Sequence, residues 1–150
     1  MERLKLKVAV YLLLIKDNKV LLLRRYNTGW NDGNYSLPAG HLDPHETVTQ
    51  AIQRESLEEV GVKLNTEDIK LVHTMHRMVS SYIDLFFVAQ KWEGELINNE
   101  PNKCDDLKWF DLNNLPENMV LSVRSAIENY KKGEIFSDFL PLSQWSGVYF

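Results

Sequence analysis

Residues 40–62 read GHLDPHETVTQAIQRESLEEVGV, and the spacing of their polar and apolar residues indicates a helix with defined ends. Thr47 and Gln50 have the spacing of a capping box, in which each side chain bonds the backbone N–H of the other residue. Gly61 stands where helices commonly end in a left-handed residue. The stretch therefore predicts a helix from about residue 47 to residue 60.

Acidic side chains share the apolar face of this predicted helix. At about 100° of rotation per residue, Val48 and Ile52 begin an apolar stripe. The same stripe continues through Glu55 and Glu59, with Glu58 beside it. A solvated run of charges would lie on the opposite side of the helix. Like charges this close on a partly buried face are costly unless a cation neutralises them.

The spacing of these carboxylates leaves two interpretations open. Their oxygens suit Mg²⁺ or Mn²⁺, hard ions that keep waters or substrate phosphates in their remaining positions. An ordinary acidic helix, with Arg54 relieving part of the repulsion, explains the same spacing equally well.

The same stretch resembles the signature box of the Nudix hydrolases. The matching positions, at the family's spacing, are Gly40, Glu46, Arg54-Glu55, Glu58-Glu59, Gly61 and the aliphatic Val62. The flanks are similar too, with Leu37-Pro38 before the box, and Trp109-Phe110 and Leu115-Pro116 after it. The resemblance implies an α/β (α+β) fold of the Nudix type, an α/β/α sandwich around a mixed β-sheet, with residues 1–150 as one domain.

Two residues depart from the family pattern. Ser56 stands where an aliphatic residue is usual, and we expect it to loosen the packing locally. Ala39 replaces a common glycine at a position that touches no ligand. Neither departure removes a residue of the implied chemistry.

The resemblance also implies which residues hold a divalent ion, Mg²⁺ or Mn²⁺. In the family the box binds metal, so Glu55, Glu58, Glu59 and the backbone carbonyl of Gly40 are the implied ligands. One of these carboxylates also serves as the base for the attacking water, and Glu55 is the first candidate, although family members differ on this point. A further acid often comes from a distant loop. Glu100 is the candidate here, with a solvated loop acid as the alternative.

Two other box residues have implied supporting roles. Arg54 would orient Glu55 through a charge-assisted hydrogen bond. Glu46, just before the helix, would pair with Arg54 or favour the positive end of the helix dipole.

The expected reaction is hydrolysis of a phosphoanhydride in a nucleoside diphosphate derivative. The favoured substrate, as in MutT-like members, is a nucleoside triphosphate, oxidised forms included, which yields the monophosphate and pyrophosphate. Alternatives are a nucleotide sugar, ADP-ribose, a dinucleoside polyphosphate, or a non-catalytic module that senses nucleotides. No proline lies between Pro44 and Pro101, so the downstream proline of ADP-ribose-type members is missing. The presence of Glu55, Glu58 and Glu59 argues against a sensor, because non-catalytic modules usually lose these box acids.

Weaker signals concern the substrate. Arg24 and Arg25 end a predicted strand and can contact phosphate, and Trp30 in the following loop can stack on a base. Strand-end arginines beside a turn need no ligand, so a structural role is the alternative. Asn118, or the adjacent Glu117, can read a base edge as in MutT-like members. The favoured interpretation of Asn118 is an N-cap of the last helix.

The remaining polar candidates have structural interpretations. His73 and His76 face opposite sides of a predicted strand, and His41 and His45 lie within the box without a ligand pattern. Cys104 behaves as a small hydrophobe unless its pKa is depressed. As the lone cysteine, it excludes an internal disulfide framework and fits a reducing compartment.

Composition bounds the class of protein. The chain has 150 residues, and its 17 basic against 21 acidic side chains leave a formal net charge of −4, without the basic stripe of a duplex nucleic-acid binder. The apolar run from Val8 to Ile15 is too short to span a bilayer. A polar turn and a second apolar run follow it, so we interpret the two runs as a β-hairpin and not a signal peptide. The chain is expected to be cytoplasmic, without a membrane partner.

Strand and helix patterns complete the prediction. Strands are expected at 5–15, 19–24, 69–79, 82–91 and 107–111, with an extended piece at 35–39 and a second helix at 118–131. The aromatic tail 134–150 has no predicted structure. It would either cover the core or join two protomers into a homodimer.

Overall fold

In the computed structural model, which describes residues 1–140, two helices pack on opposite faces of a mixed β-sheet. The strands are β1 (Lys7–Lys16), β2 (Lys19–Arg25), β3 (Tyr35–Ser36), β4 (Ala39–His41), β5 (Lys70–Arg77), β6 (Tyr82–Ala89), β7 (Cys104–Asp111) and β8 (Phe136–Asp138). The helices are α1 (Val48–Val60) and α2 (Leu121–Lys131), and a short 3-10 turn spans Thr66–Asp68. The sheet order is β3-β2-β1-β6-β5-β8, with β4 on β1 and β7 on β2. The predicted α/β/α sandwich is confirmed.

Strand β1 lies at the centre because its side chains supply both halves of the core. Val10, Leu12 and Leu14 belong to the cluster under α1, whereas the alternate residues Tyr11 and Leu13 belong to the cluster under α2. The strand pairs in parallel with β6 and antiparallel with β4. Burial on both faces explains the continuous apolar run at this point of the sequence. No helix in residues 1–140 is long and apolar enough to cross a membrane.

Helix α1 has the predicted ends. The Thr47 hydroxyl accepts from the Gln50 N–H at 3.1 Å, and the Gln50 side chain accepts from the Thr47 N–H at 2.9 Å. Gly61 adopts a φ of 74° after the last turn, the left-handed conformation that suits glycine. The helix buries Ile52 and Glu55 on one face, so the predicted alignment of acids with the apolar stripe is confirmed.

Helix α2 begins later than predicted. Its first residue is Leu121, its N-cap is Val120, and no side chain caps it, so the prediction of Asn118 as the N-cap is wrong. The reason is a pairing distant in sequence. The Tyr35 N–H donates to the Asn118 carbonyl, and the Tyr35 carbonyl accepts from the Val120 N–H, which holds residues 118–120 extended.

Three other boundaries differ from the prediction. The extended piece at 35–39 is divided into β3 and β4, since Pro38 has no N–H to donate and separates the two strands. Strand β7 starts at Cys104, three residues before the predicted start at 107. Part of the unassigned tail forms β8, parallel to β5. The tail residues Trp145, Tyr149 and Phe150 lie outside the described residues.

Ser56 does not leave a loose or unsatisfied site in α1. Its side chain is fully buried, and its hydroxyl donates to the Val62 carbonyl at 3.0 Å. The hydrogen bond joins the helix to the chain just beyond its C-terminal end. A polar residue at this aliphatic position is therefore accommodated by a partner and not by slack packing.

We expect Thr47→Ala to lower the free energy of unfolding by about 1 kcal/mol, because the Gln50 N–H loses its acceptor. For a chain of this size the melting temperature falls by about 3 °C. Thermal unfolding followed by circular dichroism measures both quantities. Thr49→Ala, two residues further along in the first turn of α1, is the matched control. We expect it to change the free energy of unfolding by less than about 0.5 kcal/mol. Equal losses in the two variants would contradict the capping role.

Candidate active site

A cleft of about 860 Å³ runs past the short strand β4. The carboxylates of Glu55, Glu58 and Glu59 on α1 line it, together with Gly40 of β4. Glu100, from the loop before β7, lines it as well. The fold therefore brings all the implied ligands, which come from three separate segments, to one wall of one cleft.

Gly40 and Glu55 are in close approach. A Cβ atom at residue 40 would lie 1.9 Å from Glu55 Oε1, far inside any real contact distance. Glycine is thus needed at this point of β4 because the carboxylate occupies the space of a side chain. The arrangement holds Glu55 at the cleft with only 8% of the residue exposed.

The Arg54 guanidinium ties the acids of the site together. Its Nε and Nη2 donate to the two oxygens of Glu46 at 2.8 and 3.0 Å. Its Nη1 donates to Glu55 Oε1 at 2.7 Å and to Glu58 Oε2 at 3.2 Å. The hydrogen bonds from Arg54 and then from the Asp43 N–H lower the pKa of Glu46 to about 2. Both predicted roles, Glu46 pairing with Arg54 and Arg54 orienting Glu55, match these contacts.

Burial raises the pKa of two acids on α1, Glu55 and Glu59. It raises the pKa of Glu55, against the hydrogen bond from Arg54, which lowers it. It raises the pKa of Glu59 well above the ordinary value, and the negative charge of Glu55 raises it further. The Ala39 N–H, which donates to Glu59 Oε2 at 2.9 Å, is a partial compensation. Glu55 therefore shares the charge of Arg54 with Glu46 and Glu58, whereas Glu59 accepts from a backbone N–H.

Asn99 explains how a distant loop delivers Glu100. The Asn99 N–H donates to the Glu59 carbonyl at 3.0 Å, and its side-chain amide donates to the Glu58 carbonyl at 3.0 Å. These carbonyls belong to the last turn of α1, where no intrahelical donor is available. The loop thus satisfies the end of the helix and places the next residue in the cleft.

The donor set fits a hard divalent cation. It consists of carboxylate oxygens and a backbone carbonyl, which Mg²⁺ and Mn²⁺ prefer. A cation would also relieve the repulsion that raises the pKa of Glu59. Within residues 1–140, no three acidic, histidine or cysteine side chains converge as a preformed metal site. In this arrangement Glu55 and Glu58 bond Arg54, and Glu59 bonds the Ala39 N–H.

Comparison with known proteins decides the family. The family model described as the NUDIX domain matches residues 5–130. The chain belongs to the Nudix hydrolases. Its family resemblance therefore extends well beyond the signature box, across both helices and most of the sheet.

Several relatives of this Nudix chain carry named activities. An ADP-ribose pyrophosphatase of Methanocaldococcus jannaschii is 34% identical over 127 residues, 83% of this chain and 73% of the relative. An 8-oxo-dGTP diphosphatase of Proteus vulgaris is 32% identical over 97 residues, 64% of this chain and 86% of the relative. The NAD-capped RNA hydrolase NudC of Stutzerimonas stutzeri is 29% identical over 126 residues, 84% of this chain, which spans only 43% of that relative.

A solved structure supports the same family. The crystal structure of a MutT NUDIX hydrolase from Burkholderia pseudomallei has a TM-score of 0.76 at 26% identity, covering 83% of this chain and 97% of that one. Together with the family model and the relatives, this similarity identifies the chain as a hydrolase of pyrophosphate bonds in nucleotide derivatives. Nudix hydrolases generally use divalent metal ions.

The predicted substrate residues of this Nudix chain are divided between the cleft and its surroundings. Arg25 and Trp30 line the cleft, and the Arg25 guanidinium lies 4.8 Å from the centre of the Trp30 ring. Arg24 does not line it and pairs with Asp105 at 2.7 Å. Asn118 does not line it either, since its side-chain amide donates to the Gly33 carbonyl at 2.9 Å. Arg25 and Trp30 are therefore the better placed of the four for a ligand.

A further polar group that lines the cleft is absent from the sequence-based prediction. Arg77 and Tyr82 form it together with His41, whose Nε2 lies 2.7 Å from the Tyr82 hydroxyl. Arg77 stacks on Tyr82 at 4.3 Å and pairs with the fully buried Asp84. Two opposite charges on neighbouring predicted strands were the available signal, because such residues are seldom buried unless paired.

The other candidates have structural surroundings. His73 is buried, with Nδ1 2.7 Å from the Glu134 carbonyl and Nε2 2.8 Å from Ser137 Oγ. Cys104 lines the cleft, but its Sγ donates to the Asp106 carbonyl and burial raises the pKa of the thiol. Neither residue carries a feature of a reactive centre.

We expect Gly40→Ala to destabilise the protein by about 1–3 kcal/mol, because the new Cβ overlaps the Glu55 carboxylate. The cost largely disappears in a Glu55→Ala background, where the space is free. Denaturant unfolding of the wild type, both single variants and the double variant measures this coupling. Additive effects of the two substitutions would contradict the close approach as the reason for glycine.

Proposed function

We propose that this chain hydrolyses nucleoside triphosphates, oxidised forms included, to the monophosphate and pyrophosphate, with Mg²⁺ as the working ion. The main supporting observation is that one cleft is lined by all the implied metal ligands: Gly40, Glu55, Glu58, Glu59 and Glu100. A volume of about 860 Å³ lies in the range of small-molecule sites and accommodates a nucleotide. The 8-oxo-dGTP diphosphatase relative supports a triphosphate substrate.

The metal would be held by the carboxylates of Glu55, Glu58 and Glu59 and by the Gly40 carbonyl, with Glu100 as an additional donor. When bound, Mg²⁺ supplies positive charge to the phosphate oxygens and activates the attacking water. For this to happen, Glu58 has to exchange its hydrogen bond from Arg54, a 3.2 Å contact of a half-exposed side chain, for the ion. Arg54 retains its two bonds to Glu46 and so remains in position.

Glu55 is our candidate for the base. Its carboxylate lines the cleft beside Gly40, where the attacking water would lie next to the metal. Arg54 and the close backbone at Gly40 restrict its orientation. Arg25 also lines the cleft, held by its hydrogen bonds to the Trp30 carbonyl and the Thr28 hydroxyl, where its charge can attract a phosphate. Trp30, 45% exposed, can stack on a base.

A second candidate substrate is ADP-ribose. The observation that favours it is the 34% identity to the ADP-ribose pyrophosphatase of Methanocaldococcus jannaschii. The same carboxylates would attack the same kind of phosphoanhydride. The products differ, since ADP-ribose yields AMP and ribose 5-phosphate without pyrophosphate.

We expect Glu55→Gln and Glu58→Gln each to lower kcat by at least about 100-fold with a triphosphate and Mg²⁺. EDTA abolishes turnover in the wild type. Pyrophosphate release measures the rate, and circular dichroism verifies the fold. Glu67→Gln, an exposed acid in the 3-10 turn, is the matched control and keeps the wild-type rate. Near-normal rates in both site variants would overturn the site assignment.

Product analysis separates the two substrate candidates. With a panel of ribonucleoside and deoxyribonucleoside triphosphates, 8-oxo-dGTP and ADP-ribose, we expect the highest kcat/KM for a triphosphate, with pyrophosphate and monophosphate in equal amounts. Chromatography of the products identifies the bond that is broken. A higher kcat/KM for ADP-ribose would replace the triphosphate proposal with the second candidate. Turnover of neither class with any divalent metal would favour a nucleotide-binding module.

A further inference from the structure

A row of polar side chains crosses the sheet near the start of β1. Lys7 of β1 lies directly opposite Tyr82 of β6, and Tyr82 lies opposite Arg77 of β5. Ala9, on the same face of β1 as Lys7, lies opposite His41 of β4. The register of these three strand pairings therefore gathers four polar side chains, and all four line the cleft that holds the box acids.

The Tyr82 ring is the centre of this group, which we call the Tyr82 cluster: Lys7, His41, Arg77 and Tyr82. The Arg77 guanidinium lies 4.3 Å from the centre of the ring, and the Lys7 ammonium lies 5.3 Å from it. The His41 ring stacks on the Tyr82 ring, with 5.5 Å between the ring centres. Attraction between cations and an aromatic ring explains why basic side chains gather here.

The positive charge of the Tyr82 cluster is only partly balanced. The fully buried Asp84 pairs with Arg77, so one carboxylate balances one guanidinium. None of the ion pairs in residues 1–140 involves Lys7. Asp43, another acid that lines the cleft, pairs with Arg54 at 3.3 Å. Lys7 therefore brings to the cleft a positive charge that no carboxylate of the described residues pairs with.

Strand order places Lys7 between the implied metal ligands and the candidate base site. His41 directly follows Gly40 in β4, and β4 pairs with the strand that carries Lys7. Arg77 lies two strands beyond Lys7, about 10 Å further across the sheet. There Arg77 shares a small side cavity with Trp30. A base that stacks on Trp30 therefore leaves the surroundings of Lys7 to another part of the same nucleotide.

We propose that Lys7, positioned by Tyr82, binds the terminal phosphate of a nucleoside triphosphate, the one farthest from the nucleoside. This inference rests on the proposed hydrolysis of nucleoside triphosphates. The ammonium group would donate charge-assisted hydrogen bonds to the phosphate oxygens. A nucleoside diphosphate lacks this phosphate and gains nothing from Lys7, so the site favours triphosphates over diphosphates.

Kinetics with a triphosphate and the matching diphosphate test the role of Lys7. We expect Lys7→Gln to lower kcat/KM for the triphosphate about tenfold, mainly through KM, because a hydrogen bond to a charged group is lost. The inhibition constant of the diphosphate, used as a competitive inhibitor, changes less than twofold. Lys7→Arg keeps the charge and restores most of the triphosphate preference.

Lys5→Gln is the matched control, because Lys5 is exposed, lies two residues earlier and does not line the cleft. It keeps the wild-type kcat/KM. Equal losses in Lys5→Gln and Lys7→Gln would assign the effect to long-range attraction and overturn the inference. Equal weakening of triphosphate and diphosphate in Lys7→Gln would overturn it as well.

The positioning role of Tyr82 has its own test. Tyr82→Leu removes the aromatic face under the Lys7 ammonium, so we expect a several-fold loss in kcat/KM for the triphosphate. The same substitution in a Lys7→Gln background causes little further loss, because it acts through Lys7. Independent, additive losses would overturn the positioning role.

Equilibrium binding keeps this inference separate from the proposed activity. Isothermal titration calorimetry of the full chain with magnesium pyrophosphate needs no nucleotide turnover. We expect Lys7→Gln to bind it about tenfold more weakly than the wild type and Lys5→Gln to bind it equally well, with the fold verified by circular dichroism. Unchanged binding in Lys7→Gln would overturn the inference. Absence of triphosphate turnover, together with pyrophosphate binding that depends on Lys7, would overturn the proposed function and retain the phosphate site.

Discussion

Crowding of negative charge on one face of α1 is the constraint on which the rest of the site depends. Glu55 and Glu59 lie in line with the buried stripe of the helix, where solvent screens them poorly. Arg54 supplies part of the balancing charge and locks the orientation of Glu55. The missing side chain at Gly40 supplies the space. A change in any of these residues alters the position or the protonation of the others, so they act as one unit.

The acidic residues of the cleft and its other polar residues come from different elements of the fold. Helix α1 contributes Glu55 and Glu59, whose burial raises the pKa of both carboxyl groups. Strands β5 and β6 contribute Arg77, which pairs with Asp84, and Tyr82, whose hydroxyl lies beside His41. The box acids and these polar residues therefore lie on different structural elements of the cleft.

Local signals made α1 predictable, and distant contacts limited the rest. The capping pair Thr47 and Gln50 lies within one turn, so the start of α1 could be predicted to the residue. The start of α2 could not, because the pairing of residues 118–120 with Tyr35 joins segments far apart in sequence. The box acids could be predicted as a cluster from their helical spacing. The Arg77–Asp84 pair could not, since its burial depends on how two strands pack under the cleft.

The brevity of β4 has a geometric consequence for how a substrate lies. This strand of three residues pairs with β1 at Ala9, Val10 and Tyr11, and all three of its residues line the cleft. At Gly40, which has no side chain, a molecule bound in the cleft would meet main-chain atoms, which no substitution can remove.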